Sequence, residues 1–530
     1  MLDVSLLSLA LVAPLSPLRT THTPTHSRAA ASSIRSSSYF IGIDSGTQST
    51  KALVYDTDTK EVLGVGAVPH GLLETDVPGR AEQDPAVWVD AMFTSCATAL
   101  DAATKRAGAD VRPSVKALAV SGQQHGMVAL DASYAPIRPA KLWCDTESAP
   151  EAAELATQLG WGIVASFTST KLLWLKRNEP ENFGKLAHVA LPHDYLNLQL
   201  TGSLVMECGD ASGTGLLDTA SRQWDDGACA MVDGSLRSKL PPLVAPTEAA
   251  GALGDAAAAR LGLPAGLPVA TGSGDNMMSA LGCGCSVEGR VAISLGTSGT
   301  IFARTAAAAR DPTGAVCPFL DATGGGLPLL CTLNCAAVPE EARAAYGLER
   351  DAIVALAEAE PIGCEGLTLN PYLAGERTQN WPQASGALVG LRAGHLARPG
   401  LVYRAAVEGV AFSLRDGLEA MRRQGLGDCD EVRLVGGGSK SAFFRRVIAD
   451  ALQMRVACPA EAESAALGAA LQAAAHVAGA ADIGAWIAEN HDPPVGENVL
   501  EPDPAAAATY DEAFALYRRR GESLFGGGER

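Results

Sequence analysis

Residues 39–56 read YFIGIDSGTQSTKALVYD. One apolar run ends on Asp44 and a second begins at Ala52, with Gly46, Thr47, Gln48, Ser49, Thr50 and Lys51 between them as the expected turn of a hairpin. An ordinary hairpin needs a turn, but it does not need an acid, three hydroxyls and a lysine beside it. Glycine lets the main chain approach a phosphate closely, and the turn's N–H groups with the Thr and Ser hydroxyls supply donors. Asp44 can offer a carboxylate to Mg2+, a hard cation that takes oxygen ligands. Lys51 adds a positive charge beside the hairpin. Taken singly, such a stretch also reads as a plain tight turn.

The pattern returns about 250 residues later as VAISLGTSGTIFAR, residues 291–304. Gly296-Thr297 matches Gly46-Thr47, while Ser294 stands where the first copy has Asp44. A repeat at that spacing points to duplication of a domain rather than to a short-period solenoid. Two related domains are expected to present two phosphate-facing hairpins to one cleft, only the first with a metal-binding carboxylate.

The 530 residues allow roughly two to four domains. A hydrophobic content of 47% with 19% charged residues is that of a globular chain. The net charge of −18 argues against a nucleic-acid partner. It does not exclude a nucleotide, whose phosphates can be held by local N–H groups and one lysine. The twelve cysteines are scattered without a Cys-x-x-Cys pair. Reduced, mostly buried thiols are expected, ahead of a zinc site or a disulfide framework.

Residues 1–38 differ from the rest. LLSLALVAPLSPL (6–18) is apolar but short for a membrane span, and RTTHTPTHSRAAASSIRSSS (19–38) is basic, hydroxylated and free of acids. This reads as an organelle targeting peptide, for a plastid ahead of a mitochondrion, with a mis-assigned gene start and a cytoplasmic protein as the alternative. No other stretch is long and apolar enough to span a bilayer, so no membrane partner is expected.

Four further stretches carry candidate chemistry. LPVATGSGDNMMSALG (267–282) reads as a strand, a Gly-rich break with Asp275 and Asn276, and a helix. An acid there sits where ligands meet the carboxyl ends of strands, or it caps the helix. VRLVGGGSKSAFFRRVIADAL (432–452) reads as a strand, a glycine loop with Gly437 and Gly438, and an amphipathic helix. It lacks the G-x-G-x-x-G spacing and ribose acid of a dinucleotide site. ALAVSGQQHGMVALD (117–131) places Gln123, Gln124 and His125 between apolar strands, a set of donors and acceptors suited to a polyol. Trp143 and Asp145 in KLWCDTES (141–148) offer an apolar face beside a carboxylate.

In this order the motifs resemble those of the FGGY carbohydrate kinases, from about Phe40 to about Ala475. SFTSTKLLWLKRN (166–178) and GALVGLRAGHLARPGLVYRAAVEG (386–409) resemble the two family signatures, and NPYLAGERT (370–378) and EQDPAVWVDA (82–91) are also similar. SGQQHGMVALD and SGDNMMSALG are most similar to members that phosphorylate D-xylulose.

The resemblance implies an α/β protein of two RNase H-like, actin-like ATPase domains around a central catalytic cleft. The expected domains are 39–285 for sugar, phosphate and Mg2+ and 286–480 for nucleotide, with a helical extension over 481–530. Asp275 is implied as the general base and Asp44 as the Mg2+ ligand. Thr47, Gln48, Ser49 and Lys51 would face the transferring phosphate, and Gly296, Thr297, Gly437 and Gly438 the ATP. Gln124, His125, Asp275 and Asn276 would contact the sugar. The expected partners are the sugar and ATP, and the chain is expected as a monomer or homodimer. Another pentulose or polyol, such as D-ribulose or glycerol, and a partner-driven actin- or chaperone-like ATPase are the alternatives. One departure concerns the purine side, where Ala442 stands in place of the asparagine found in some family members.

Overall fold

The computed structural model describes residues 38–526 except 309, 380 and 498. The targeting peptide expected at the N-terminus therefore lies outside the described residues, apart from Ser38.

The first sheet comprises β1 (Tyr39–Ser45), β2 (Ser49–Asp56), β3 (Glu61–Pro69), β4 (Val115–Gly122), β5 (Ala249–Ala252) and β6 (Pro268–Ala270), in the order β5-β6-β4-β1-β2-β3. The short strand Ser273–Gly274 also pairs with β4. β1, β2 and β3 run antiparallel in sequence, and β4 joins β1 in parallel. The second sheet contains β7 (Arg290–Leu295), β8 (Gly299–Ala303), β9 (Val316–Leu320), β10 (Gly326–Thr332), β11 (Glu431–Val435) and β12 (Arg455–Ala457), in the order β9-β10-β8-β7-β11-β12. β7 pairs antiparallel with β8 and parallel with β11, as β1 does with β2 and β4. The repeated sequence motif thus occupies equivalent places in two sheets of the same plan, a duplicated RNase H-like architecture.

β1 is apolar almost throughout because both its faces are covered. Ile41 and Ile43 pack with Trp88, Met92 and Cys96 of α1 (Pro85–Ala107). Phe40 on the opposite face shares a core with alanines from the far end of the chain, including Ala466, Ala469 and Ala473.

Five helices matter for the site: α1, α2 (Asp275–Gly282), α3 (Pro399–Arg423), α4 (Ala442–Leu452) and α5 (Ser464–Val477). α3 runs through the core under the second sheet, burying Val407, Val410, Ala411 and Leu414. α5 follows the second sheet in sequence but packs on β1, β4 and α2. Glycines make that approach possible: a Cβ on Gly42 would collide with Ala466 O, and one on Gly468 with Met278 O.

The first hairpin departs from expectation in one respect. β2 starts at Ser49 rather than Ala52, because the ladder continues through Asp44–Lys51 and Ser45–Thr50. Ser45 Oγ and Thr50 Oγ1 share a buried hydrogen bond of 3.0 Å, which extends the pairing with side chains. The turn contracts to Gly46–Gln48, closed by Gly46 N donating to Ser49 O at 3.0 Å. Asp44 and Lys51 are consequently direct cross-strand neighbours on one face.

Among the described residues no helix is long and apolar enough to cross a membrane.

Candidate active site

Asp44, the penultimate residue of β1, lies beside the end of β4, where Ser121 Oγ donates to its Oδ1 at 2.8 Å. Burial pushes its pKa up to about 6, opposed by the Ser121 hydrogen bond and the Lys51 charge. Ser121 is the one donor that Asp44 accepts from among the described residues, which leaves Oδ2 available to a further ligand. An oxygen donor in this position fits a divalent cation held by one or two carboxylates plus phosphate and water.

The side chains around the first turn are more committed than expected. Thr47 Oγ1 donates to Gln123 Oε1 at 3.0 Å and accepts from Trp143 Nε1 at 2.9 Å. Gln83 ties the same turn from behind, with Nε2 donating to Thr47 O at 2.7 Å and Oε1 accepting from Gln123 and Trp88. The Thr47 hydroxyl therefore fixes the turn, tying it to Gln123 and Trp143. Gln48 is exposed and Ser49 half-buried at the same edge. Lys51 Nζ is already paired, with Glu463 Oε2 at 2.5 Å.

Asp275 is the first residue of α2. Its Oδ1 accepts from Asn276 N at 2.8 Å and Asn276 Nδ2 at 3.0 Å. Burial and then the carboxylates of Asp44 and Asp210 push its pKa up to about 8. Two acids near one another with raised pKa values are the arrangement expected of a site that handles a proton. Asn276 Nδ2 also donates to Gln124 Oε1 at 2.7 Å, while Gln124 Nε2 is buried without a protein partner.

His125 sits at a positive φ of 63° between Phe167 and Phe319, with ring centroids 5.6 and 5.0 Å away. Phe167 is held by the loop before helix Thr168–Asn178, whose Lys171 Nζ donates to Ala165 O and Ser166 O at 2.7 Å. Burial and the Lys171 charge lower the His125 pKa to about 3, so the ring is neutral. Its Nδ1 is buried and unpartnered. The orphaned Gln124 amide is what a hydroxyl-rich ligand would satisfy, whereas His125 Nδ1 lies against Gly213.

On the other side, the Gly296–Ser298 turn closes with Gly296 N donating to Ser298 O at 3.1 Å. Cys335 N donates to Thr297 O and Ala336 N to Gly296 O, so both carbonyls are engaged from behind. The glycine loop after β11 lies against this turn: a Cβ on Gly438 would stand 2.8 Å from Leu295 Cβ. Gly436 takes a φ of 87°, a left-handed value that suits glycine. A Cβ on Gly437 would meet nothing within 4 Å, so that face is open. Ala442 begins α4, exposed, at the mouth of a cavity of about 400 Å³ that Arg404, Phe443 and Leu500 also line.

Asp145 does not join Trp143 at the site. It is fully buried, accepting from Lys141 Nζ at 2.9 Å and Ala81 N at 2.9 Å. Glu82, Asp145 and Glu147 lie close enough to one another to hold a metal, but Lys141 Nζ fills their centre, 3.2, 2.9 and 2.5 Å from their oxygens. All twelve cysteines are free, eight of them buried, as expected.

Two acids near the site escaped the sequence reading. Glu463 reaches Lys51, as above. Asp210 stands behind Asp275, its Oδ2 on His193 Nδ1 at 2.6 Å and its Oδ1 buried and unpartnered. The stretch ECGDASGTG (207–215) is dense in small polar residues that prove buried, and that composition is the signal that points to it.

Models of the FGGY family of carbohydrate kinases match this chain, the N-terminal domain over residues 39–282 and the C-terminal domain over 291–477. A xylulose kinase from Haemophilus influenzae is 38% identical over 82% of this chain and 90% of its own length. One from Streptomyces rubiginosus is 40% identical over 83% and 88%. The crystal structure of a xylulose kinase from Bifidobacterium adolescentis, 35% identical, aligns with a TM-score of 0.76 over 90% of this chain and 99% of that one.

Proposed function

This chain belongs to the FGGY family of carbohydrate kinases, and from that premise we propose that it transfers the γ-phosphate of ATP to D-xylulose, giving D-xylulose 5-phosphate. The observation that carries the reading is the group Asp275, Asn276, Gln124 and His125. One acid of raised pKa stands in a polar cluster in which the buried Gln124 Nε2 lacks a protein partner.

The sugar's terminal hydroxyl is a poor nucleophile while it keeps its proton. Asp275 accepts that proton as the oxygen bonds to the γ-phosphorus and the bond from phosphorus to the β,γ-bridging oxygen breaks. Gln124 and neutral His125 read the remaining hydroxyls, with Asn276 holding the Gln124 amide in place. Gly46 N and Gly296 N close their turns, so the N–H groups of the residues that follow them, Thr47 and Thr297 first, face the phosphates, with Lys51 beside the first turn. A Mg2+ ion bound at Asp44 would offset charge on the phosphoryl oxygens and remove the Asp44 repulsion that helps raise the Asp275 pKa. The purine lies beyond Gly437–Gly438, where Ala442 offers it no side-chain amide.

The test is ADP release from the purified chain with a panel of ketoses and polyols and a no-sugar control. D-xylulose should give the highest kcat/KM. Strong turnover of D-ribulose or glycerol with none of D-xylulose contradicts the substrate, and sugar-independent release contradicts the kinase reading.

A further inference from the structure

Glu463 is placed with unusual firmness for a residue so far along the chain. It precedes α5, which nests on β1 and α2 through Gly42, Gly282 and Gly468. It occupies the helix's N-cap position, yet its side chain makes no capping hydrogen bond. Instead Oε2 takes Lys51 Nζ at 2.5 Å, in a pair whose side chains are 25% and 33% exposed and so open to a ligand.

Lys51 has a nearer claimant. It stands directly opposite Asp44 in the β1–β2 ladder, where opposite charges ordinarily pair across strands. It makes no ion pair with Asp44, which accepts only from Ser121 among the described residues. We propose that Glu463 is a positioning residue of the phosphate and metal site: it holds the Lys51 ammonium away from Asp44, which keeps that carboxylate open to a divalent cation and Lys51 beside the phosphate path. The inference rests on the reading of Asp44 as the metal ligand.

With Glu463 neutral, Lys51 is released toward Asp44, its cross-strand neighbour, and competes with the cation for that carboxylate. Glu463→Gln should therefore weaken binding of Mn2+ alone to the full chain, followed by electron paramagnetic resonance, by about tenfold, the scale of one partly screened charge contact. The Glu463→Gln/Lys51→Met double variant should recover the Mn2+ affinity of Lys51→Met, because no ammonium remains to compete. The sugar KM should not move in Glu463→Gln. Unchanged Mn2+ affinity in Glu463→Gln, or a double variant as weak as the single, overturns the proposal. Lys51→Met alone serves if Glu463→Gln fails to fold: it should bind Mn2+ at least as well as the unaltered chain, and weaker binding counts against the proposal. Asp44→Asn separates the two readings. If it leaves Mn2+ binding intact, the assignment of the metal to Asp44 fails, and the role of Glu463 with it.

Discussion

Replacing Asp275 by asparagine changes charge with little change in shape. The amide oxygen can take over the hydrogen bonds from Asn276 N and Nδ2, at 2.8 and 3.0 Å. No cap is removed, because Gly274 holds the N-cap position of α2. If Asp275 is the base, kcat with D-xylulose and MgATP should fall about 10²–10⁴-fold, the usual share of general-base catalysis. That is about 3–5 kcal/mol at ~1.4 kcal/mol per tenfold. Stability should move the other way. A carboxyl whose pKa rises from 3.8 to about 8 on folding favours the native state at low pH and loses that contribution as pH rises toward 8. The Asp275→Asn variant has no carboxyl to ionise and is spared this loss, so it should gain on the parent between pH 5 and pH 8. Each pH unit is worth at most ~1.4 kcal/mol. Asp275 is only partly shielded from solvent and shares its strain with Asp44, which brings the expected gain at pH 8 to about 2 kcal/mol. The assay is steady-state ADP release together with thermal melts at the two pH values. A folded Asp275→Asn enzyme with near-normal turnover refutes the base assignment. A variant that melts lower at pH 8 refutes the electrostatic account.

Gly437→Ala should leave the melting temperature unchanged, since its Cβ meets nothing, yet raise the KM for ATP about tenfold if nucleotide fills that space; Gly42→Ala should instead destabilise by about 3 kcal/mol through its clash with α5. Lys141→Met leaves the buried Asp145 without a cation, while Glu82 and Glu147 keep Arg138 and Arg80, and should cost about 3–5 kcal/mol, read by denaturant unfolding. A fusion of residues 1–38 to a fluorescent protein should enter an organelle, and the chain without them should keep its activity; diffuse cytosolic signal contradicts the targeting expected of that stretch.

The features legible in the sequence are those that local chemistry decides. Gly46-Thr47 and Gly296-Thr297 announce tight turns between apolar runs, and their repetition announces the duplicated sheet. Asp275, Asn276, Gln124 and His125 belong to two segments about 150 residues apart, and the shared β4 edge brings them together. What stayed hidden depends on partners that spacing does not reveal. The hairpin ladder extends to Ser45–Thr50 because side chains pair across it, so Ser49 to Lys51 are strand and not turn. The Thr47 hydroxyl is spent on Gln123 and Trp143, residues 76 and 96 positions away. Lys51 meets Glu463 across 412 positions because α5 returns to the first sheet. Asp145 looks like a sugar ligand beside Trp143 until Lys141 claims it.

Transfer of phosphate from ATP to D-xylulose is followed most directly through the product itself. The purified chain, MgATP and D-xylulose should yield a phosphomonoester whose 31P resonance correlates with the C5 methylene protons, in amounts equal to the ADP formed. ADP accompanied only by inorganic phosphate, or a phosphomonoester formed from another polyol but not from D-xylulose, would contradict the account.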